Sequence, residues 1–123
     1  MIIVIDDKVL FRQRWVRKLQ KSGEKVLSYT HPKKFDAAIE EGDVSPGDIE
    51  LMVVDRKNGR FDAVNTDYAN SFKSLYKDFH GKIVLSSAVH EEYEPPKDGF
   101  DYITNKNTKT LEELQKLIAE AAS

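Results

Sequence analysis

Cysteine is absent from the 123 residues. That excludes a disulfide scaffold, a thiol nucleophile and a thiolate zinc site. Long apolar runs are absent too. The apolar start, Met1-Ile2-Ile3-Val4-Ile5, is five residues and is followed by Asp6-Asp7. It is too short for a signal h-region or a membrane span. Neither sign of charge dominates: 19 Lys+Arg face 21 Asp+Glu, for a net charge of -2. A strong non-specific grip on nucleic acid needs an excess of cations. There is no Asp-x-Asp motif, no Gly-rich phosphate loop, no low-complexity segment and no linker. What is present is 40% hydrophobic and 33% charged residues, enough for one folded domain with a real core. The expectation is a soluble, cytoplasmic protein with neither nucleic acid nor membrane as partner.

Apolar runs alternate with helical patterns. Ile2 to Ile5 is a continuous β-branched run, as in a strand covered on both faces. Phe11, Trp15, Val16 and Leu19 follow at helical spacing, and Gly23 suits the left-handed stop. Val26 to Tyr29 reads as a second strand. Thr30-His31-Pro32 opens a second helix, striped by Phe35, Ala38 and Ile39, with proline where its missing N–H costs nothing. Residues 42–48 read as a loop. Leu51 to Val54 reads as a third strand, ending at Asp55. After the polar stretch 56–67, residues Tyr68, Phe72, Leu75, Tyr76 and Phe79 predict an amphipathic helix stopped by Gly81. Ile83 to Leu85 forms a fourth strand ending at Ser86-Ser87, and Phe100 to Thr104 a fifth. Thr110-Leu111-Glu112-Glu113 is a capping box, and Leu111, Leu114, Leu117 and Ile118 stripe the final helix. Nearly five βα units predict a parallel sheet with helices on both faces. The fourth crossover contains Pro95-Pro96, so its helix is expected to be short or missing.

In an open parallel sheet, ligands sit at the carboxyl ends of the strands. There the sequence places Asp6-Asp7, Asp55, Ser86-Ser87 and Asn105-Lys106-Asn107. Carboxylates gathered in one place repel, and a hard divalent cation such as Mg²⁺, which prefers oxygen ligands, resolves the repulsion. With a hydroxyl and an ammonium nearby, such a site suits phosphoryl transfer, and a carboxylate can be the nucleophile.

These segments, in this order, resemble the receiver domains of two-component response regulators over essentially all of residues 1–123. Ile2-Ile3-Val4-Ile5-Asp6-Asp7 is similar to the family's first strand with its acidic pair. Residues 48–55, ending in Asp55, resemble the third strand with the phosphoacceptor. Ile83-Val84-Leu85-Ser86-Ser87 resembles the fourth strand, and residues 99–106 the segment leading to the family lysine. The resemblance implies a flavodoxin-like three-layer sandwich with strand order 2-1-3-4-5. It also implies a single receiver domain that signals rather than an enzyme acting on a separate substrate. Asp55 would accept the phosphoryl group and also belong to the metal's ligand set. Asp7 would bind Mg²⁺ directly and Asp6 mainly through water, while Lys57 would offer its backbone carbonyl. Ser86 would hydrogen-bond a phosphoryl oxygen, and Lys106 would pair with the group. The implied partners are a histidine kinase or phosphotransfer protein and a downstream protein target, for a monomer or weak dimer.

The sequence departs from the family pattern at Gly59 and Asn107, where proline is usual. Aligning on Tyr102 would put Asn105 in the lysine position. Lys106 is preferred because neutralising phosphoryl charge needs a cation. The competing function is a pseudo-receiver, a phosphorylation-independent interaction module. An unrelated phosphatase or nuclease on a similar sheet ranks lower. Simpler roles also exist for the residues themselves. Asp6 and Asp7 can cap the first helix, the aromatics at helical spacing suit a core, and Arg12, Arg14, Arg17, Lys18 and Lys21 suit a solvated helix face. His31, His80 and His90 have no metal-ligand spacing and read as surface or turn residues.

Overall fold

A computed structural model describes residues 1–55, 68–87, 98–105 and 107–122. Five strands form one parallel sheet: β1 (Ile2–Ile5), β2 (Val26–Tyr29), β3 (Leu51–Asp55), β4 (Lys82–Ser86) and β5 (Tyr102–Thr104). Their order is β2-β1-β3-β4-β5, the flavodoxin-like arrangement expected from the resemblance. The described helices are α1 (Val9–Gln20), α2 (Pro32–Glu40), α3 (Tyr68–Leu75) and α4 (Leu111–Ala122). The fourth crossover falls on residues 88–97, so the expectation of a short or missing helix there lies outside the described residues.

The central strands are apolar on both sides because both sides are covered. Along β1, Ile3 and Ile5 enter one core with Phe35, Ala38, Ala69 and Phe72 of α2 and α3. Ile2 and Val4 enter the other, with Trp15 and Leu19 of α1 and Leu111, Leu114 and Ile118 of α4. Alternation along a strand thus builds three layers from one sheet. Phe72 is the hub of the first core. It stacks on Phe35 at 5.8 Å and meets the edge of Phe79 at 5.1 Å and 86°.

Local signals set the helix ends. His31 caps α2, its Nδ1 accepting the Lys33 N–H at 3.0 Å, with Pro32 in the first turn. The Thr110 hydroxyl accepts the Glu113 N–H at 3.2 Å at the start of α4. Gly81 is required by close approach, since a Cβ there would lie 2.5 Å from the Ile49 carbonyl oxygen.

Some boundaries differ from the sequence expectation. The third helix ends at Leu75, not at Gly81, and Leu75 is 71% exposed. The chain turns after it, with the Phe79 N–H bonding the Tyr76 carbonyl, and this folds Phe79 back onto Phe72. Phe100 is buried but precedes β5, which begins at Tyr102. The loop 42–48 contains a single 3-10 turn, Pro46–Asp48.

Candidate functional site at the carboxyl edge of the sheet

Strand register fixes which side chains meet. Asp55 pairs with Ser86, and Ser86 pairs with Thr104. Ile5 pairs with Val54, so Asp6 comes level with Asp55. Side chains alternate along each strand, and Val4, Val53, Val84 and Tyr102 all face the core under α1 and α4. Two residues later on each strand stand Asp6, Asp55, Ser86 and Thr104, in one lateral row on that same face. All four are buried.

Asp7 leaves the end of β1 and joins this row. One carboxylate oxygen each from Asp6, Asp7 and Asp55 lie within 4.8 Å of one another. At that separation two carboxylates repel by about 3 kcal/mol at an effective dielectric constant near 20. Asp6 is partly committed to structure, since its Oδ1 accepts the Lys8 N–H at 2.9 Å as the chain enters α1. This is a turn bond ahead of the helix rather than a cap, since Lys8 is the N-cap of α1 and no side chain caps its first turn. Asp7 Oδ1 is buried with no hydrogen-bond partner among the described residues, and so is Ser86 Oγ. A buried polar atom left unpaired is costly, so these two atoms mark where a ligand group is wanted.

The donor set fits a hard divalent cation: three carboxylates, all oxygen, at the carboxyl edge of a parallel sheet. The remaining metal donor expected from sequence, the Lys57 carbonyl, lies outside the described residues, and so does Lys106. Asn105 is described; its side-chain oxygen accepts the Asn107 N–H at 2.9 Å in a local turn.

Two cations beside the row escaped the sequence reading. Arg12 was assigned to the solvated face of the first helix. Its Nη1 instead folds back to donate to the Asp6 carbonyl at 2.8 Å. Lys109, from the segment before α4, donates from Nζ to Thr104 Oγ1 at 2.9 Å and to the Asn107 carbonyl at 2.9 Å. Burial pushes its ammonium below the ordinary lysine range, against a smaller opposing pull from Glu113. The available sequence signal was a lysine next to the helix N-cap Thr110, where the helix dipole disfavours a cation.

Away from the row, Asp101 and Lys73 fasten the start of β5. Asp101 Oδ2 accepts the Ile83 N–H at 2.8 Å, and Lys73 Nζ donates to the Gly99 carbonyl at 2.6 Å. No helix among the described residues is long and apolar enough to cross a membrane.

No family model matches the sequence, and no curated protein matches it. Solved structures match its fold. A response regulator from Thermotoga maritima superposes with a TM-score of 0.68 at 16% identity, over 99% of this chain and 97% of that one. A response regulator receiver domain protein from Clostridium thermocellum gives 0.65 at 20% identity, over 98% and 91%. A response regulator from Burkholderia pseudomallei, solved with a phosphorylated aspartic acid, a calcium ion and citrate, gives 0.68 at 21% identity, over 98% and 68%.

Proposed function

We propose that this chain, whose fold is that of response-regulator receiver domains, is a single-domain response regulator that accepts a phosphoryl group on Asp55. The observation that carries the reading is the joining of Asp6, Asp7 and Asp55 into one acidic cluster, with the Ser86 hydroxyl, unpartnered among the described residues, beside Asp55.

Each residue has a task its environment suits. Asp55 ends a buried strand, so its carboxylate is held at a fixed point rather than on a mobile loop. Its oxygen attacks phosphorus in line as the bond to the donor's leaving group breaks, and the leaving group departs with that electron pair. Asp6, Asp7 and Asp55 would hold Mg²⁺, with the Lys57 carbonyl as a further donor. When bound, the ion neutralises charge on the carboxylates and on the phosphoryl oxygens. The Ser86 hydroxyl donates a hydrogen bond to a phosphoryl oxygen, giving a partner to an atom that has none among the described residues. Engagement of Ser86 draws the loop that follows it inward, and altered protein contacts carry the signal. The donor is a histidine kinase or phosphotransfer protein, and the receiver of the signal is a downstream protein. On this reading the chain is one receiver domain over 1–123, a phosphoacceptor rather than an enzyme acting on a separate substrate, working in the cytoplasm.

The test is incubation with Mg²⁺ and acetyl phosphate, repeated with Asp55→Asn. The expected result is an acid-stable, base-labile adduct that needs Mg²⁺ and is lost in the variant. No adduct and no Mg²⁺ affinity would instead identify a phosphorylation-independent interaction module. Turnover of an added phosphate ester would identify a phosphatase.

A further inference from the structure

We infer that Lys109 supplies the cation that pairs with the phosphoryl group on Asp55, reaching it along the row Asp55–Ser86–Thr104. The inference rests on the phosphoacceptor reading above and gives the charge-neutralising role to a residue that motif alignment passes over.

The row ends in a neutral side chain. Thr104 stands level with Ser86, which stands level with Asp55. A phosphoryl group between Asp55 and Ser86 therefore has a hydroxyl, not a cation, as its next neighbour on β5. Lys109 is bonded to that hydroxyl at 2.9 Å. Its second bond, to the Asn107 carbonyl at 2.9 Å, anchors the ammonium from behind. Both bonds go to neutral oxygens, and the ammonium exchanges them for a charged phosphoryl oxygen when the side chain moves toward Ser86. Adjacent strands lie about 4.8 Å apart, so the flexible four-carbon stem needs to swing only about one strand spacing to bring Nζ from Thr104 to Ser86.

The position is otherwise a poor one for a lysine. Lys109 is half-buried, and it stands just before Thr110, whose hydroxyl caps the first turn of α4. The exposed N–H groups there carry partial positive charge. A cation that loses hydration and faces a like-signed helix end gains from an incoming dianion. In the transfer step Lys109 keeps its proton and contributes charge alone. The new bond is Asp55 oxygen to phosphorus, and the broken bond is phosphorus to the leaving group.

The experiment uses the full chain with acetyl phosphate and Mg²⁺, and reads adduct formation rate together with Mg²⁺ affinity. Lys109→Gln removes the charge while keeping a hydrogen-bond donor for Thr104, so folding is spared. Adduct formation is expected to fall at least tenfold in Lys109→Gln and to recover in part in Lys109→Arg. Mg²⁺ affinity is expected to stay level or tighten, because a nearby positive charge has gone. Lys106→Ala is expected to label close to normally. Normal labelling of Lys109→Gln overturns the inference, as does a parallel loss of labelling and Mg²⁺ affinity, which marks a structural role. No adduct on the unaltered protein overturns the phosphoacceptor reading and this inference with it, whereas normal labelling of Lys109→Gln overturns this inference alone.

Discussion

Asp55 and Ser86 are register partners at the ends of β3 and β4, and both leave the sheet on the side covered by α1 and α4. The pairing puts a buried carboxylate beside a buried hydroxyl that has no partner among the described residues.

That hydroxyl separates function from stability. Ser86→Ala removes an unsatisfied polar atom and leaves only a small void. Stability should change by less than about 1 kcal/mol, in either direction. Adduct formation should slow by roughly tenfold or more, about 1.4 kcal/mol of transition-state stabilisation. Urea denaturation followed by the fluorescence of Trp15, together with the labelling time course, checks both halves.

The acidic cluster should make stability depend on Mg²⁺. With free Mg²⁺ at about 100 times its dissociation constant, the folded state gains about 2.7 kcal/mol. Asp7→Asn should lose most of that gain. Without Mg²⁺ the same variant should be at least as stable as the unaltered protein, because one of three mutually repelling carboxylates has been neutralised. Thermal melts with and without Mg²⁺ measure this. A full Mg²⁺ shift in Asp7→Asn would remove that residue from the ion's ligand set.

A pH effect is expected away from the site. Asp36 on α2 has its pKa raised, first by burial and then by Glu40, with His31 opposing. The folded state therefore holds this proton more tightly than the unfolded chain does. The stability this confers is present in full below the unfolded value near 3.8 and is lost as pH rises through the folded value. Asp36→Asn should remove this slope and be the more stable form at neutral pH. Denaturation series from acid to neutral pH, on both proteins, provide the comparison. Equal slopes would contradict the assignment.

The sequence is most informative where burial is complete. Ile2 to Ile5, Leu51 to Val54 and Ile83 to Leu85 are continuous apolar runs because helices cover both faces of the sheet. Each run stops at the polar residue that reaches the carboxyl edge, so Asp6, Asp55 and Ser86 could be picked out in advance. Tertiary packing decided what periodicity did not. Leu75 keeps helical spacing with Phe72 and Phe79, yet the chain turns after it and leaves it exposed. The lateral row depends on strand register, which side-chain alternation alone does not specify, so Thr104 passed unnoticed. Arg12 and Lys109 are surface-type residues by composition. Their bonds to the Asp6 carbonyl and the Thr104 hydroxyl follow from where α1 and α4 begin.

Asp55 supplies the carboxylate oxygen that bonds phosphorus in the proposed acyl phosphate. Borohydride reduction of the Mg²⁺- and acetyl phosphate-treated protein, followed by peptide mapping, tests it at single-residue resolution. The expected result is conversion of the aspartyl phosphate to homoserine at position 55 alone, and none when Mg²⁺ is withheld. Reduction at another carboxylate, or no reduced residue in a protein that remains folded, would contradict it.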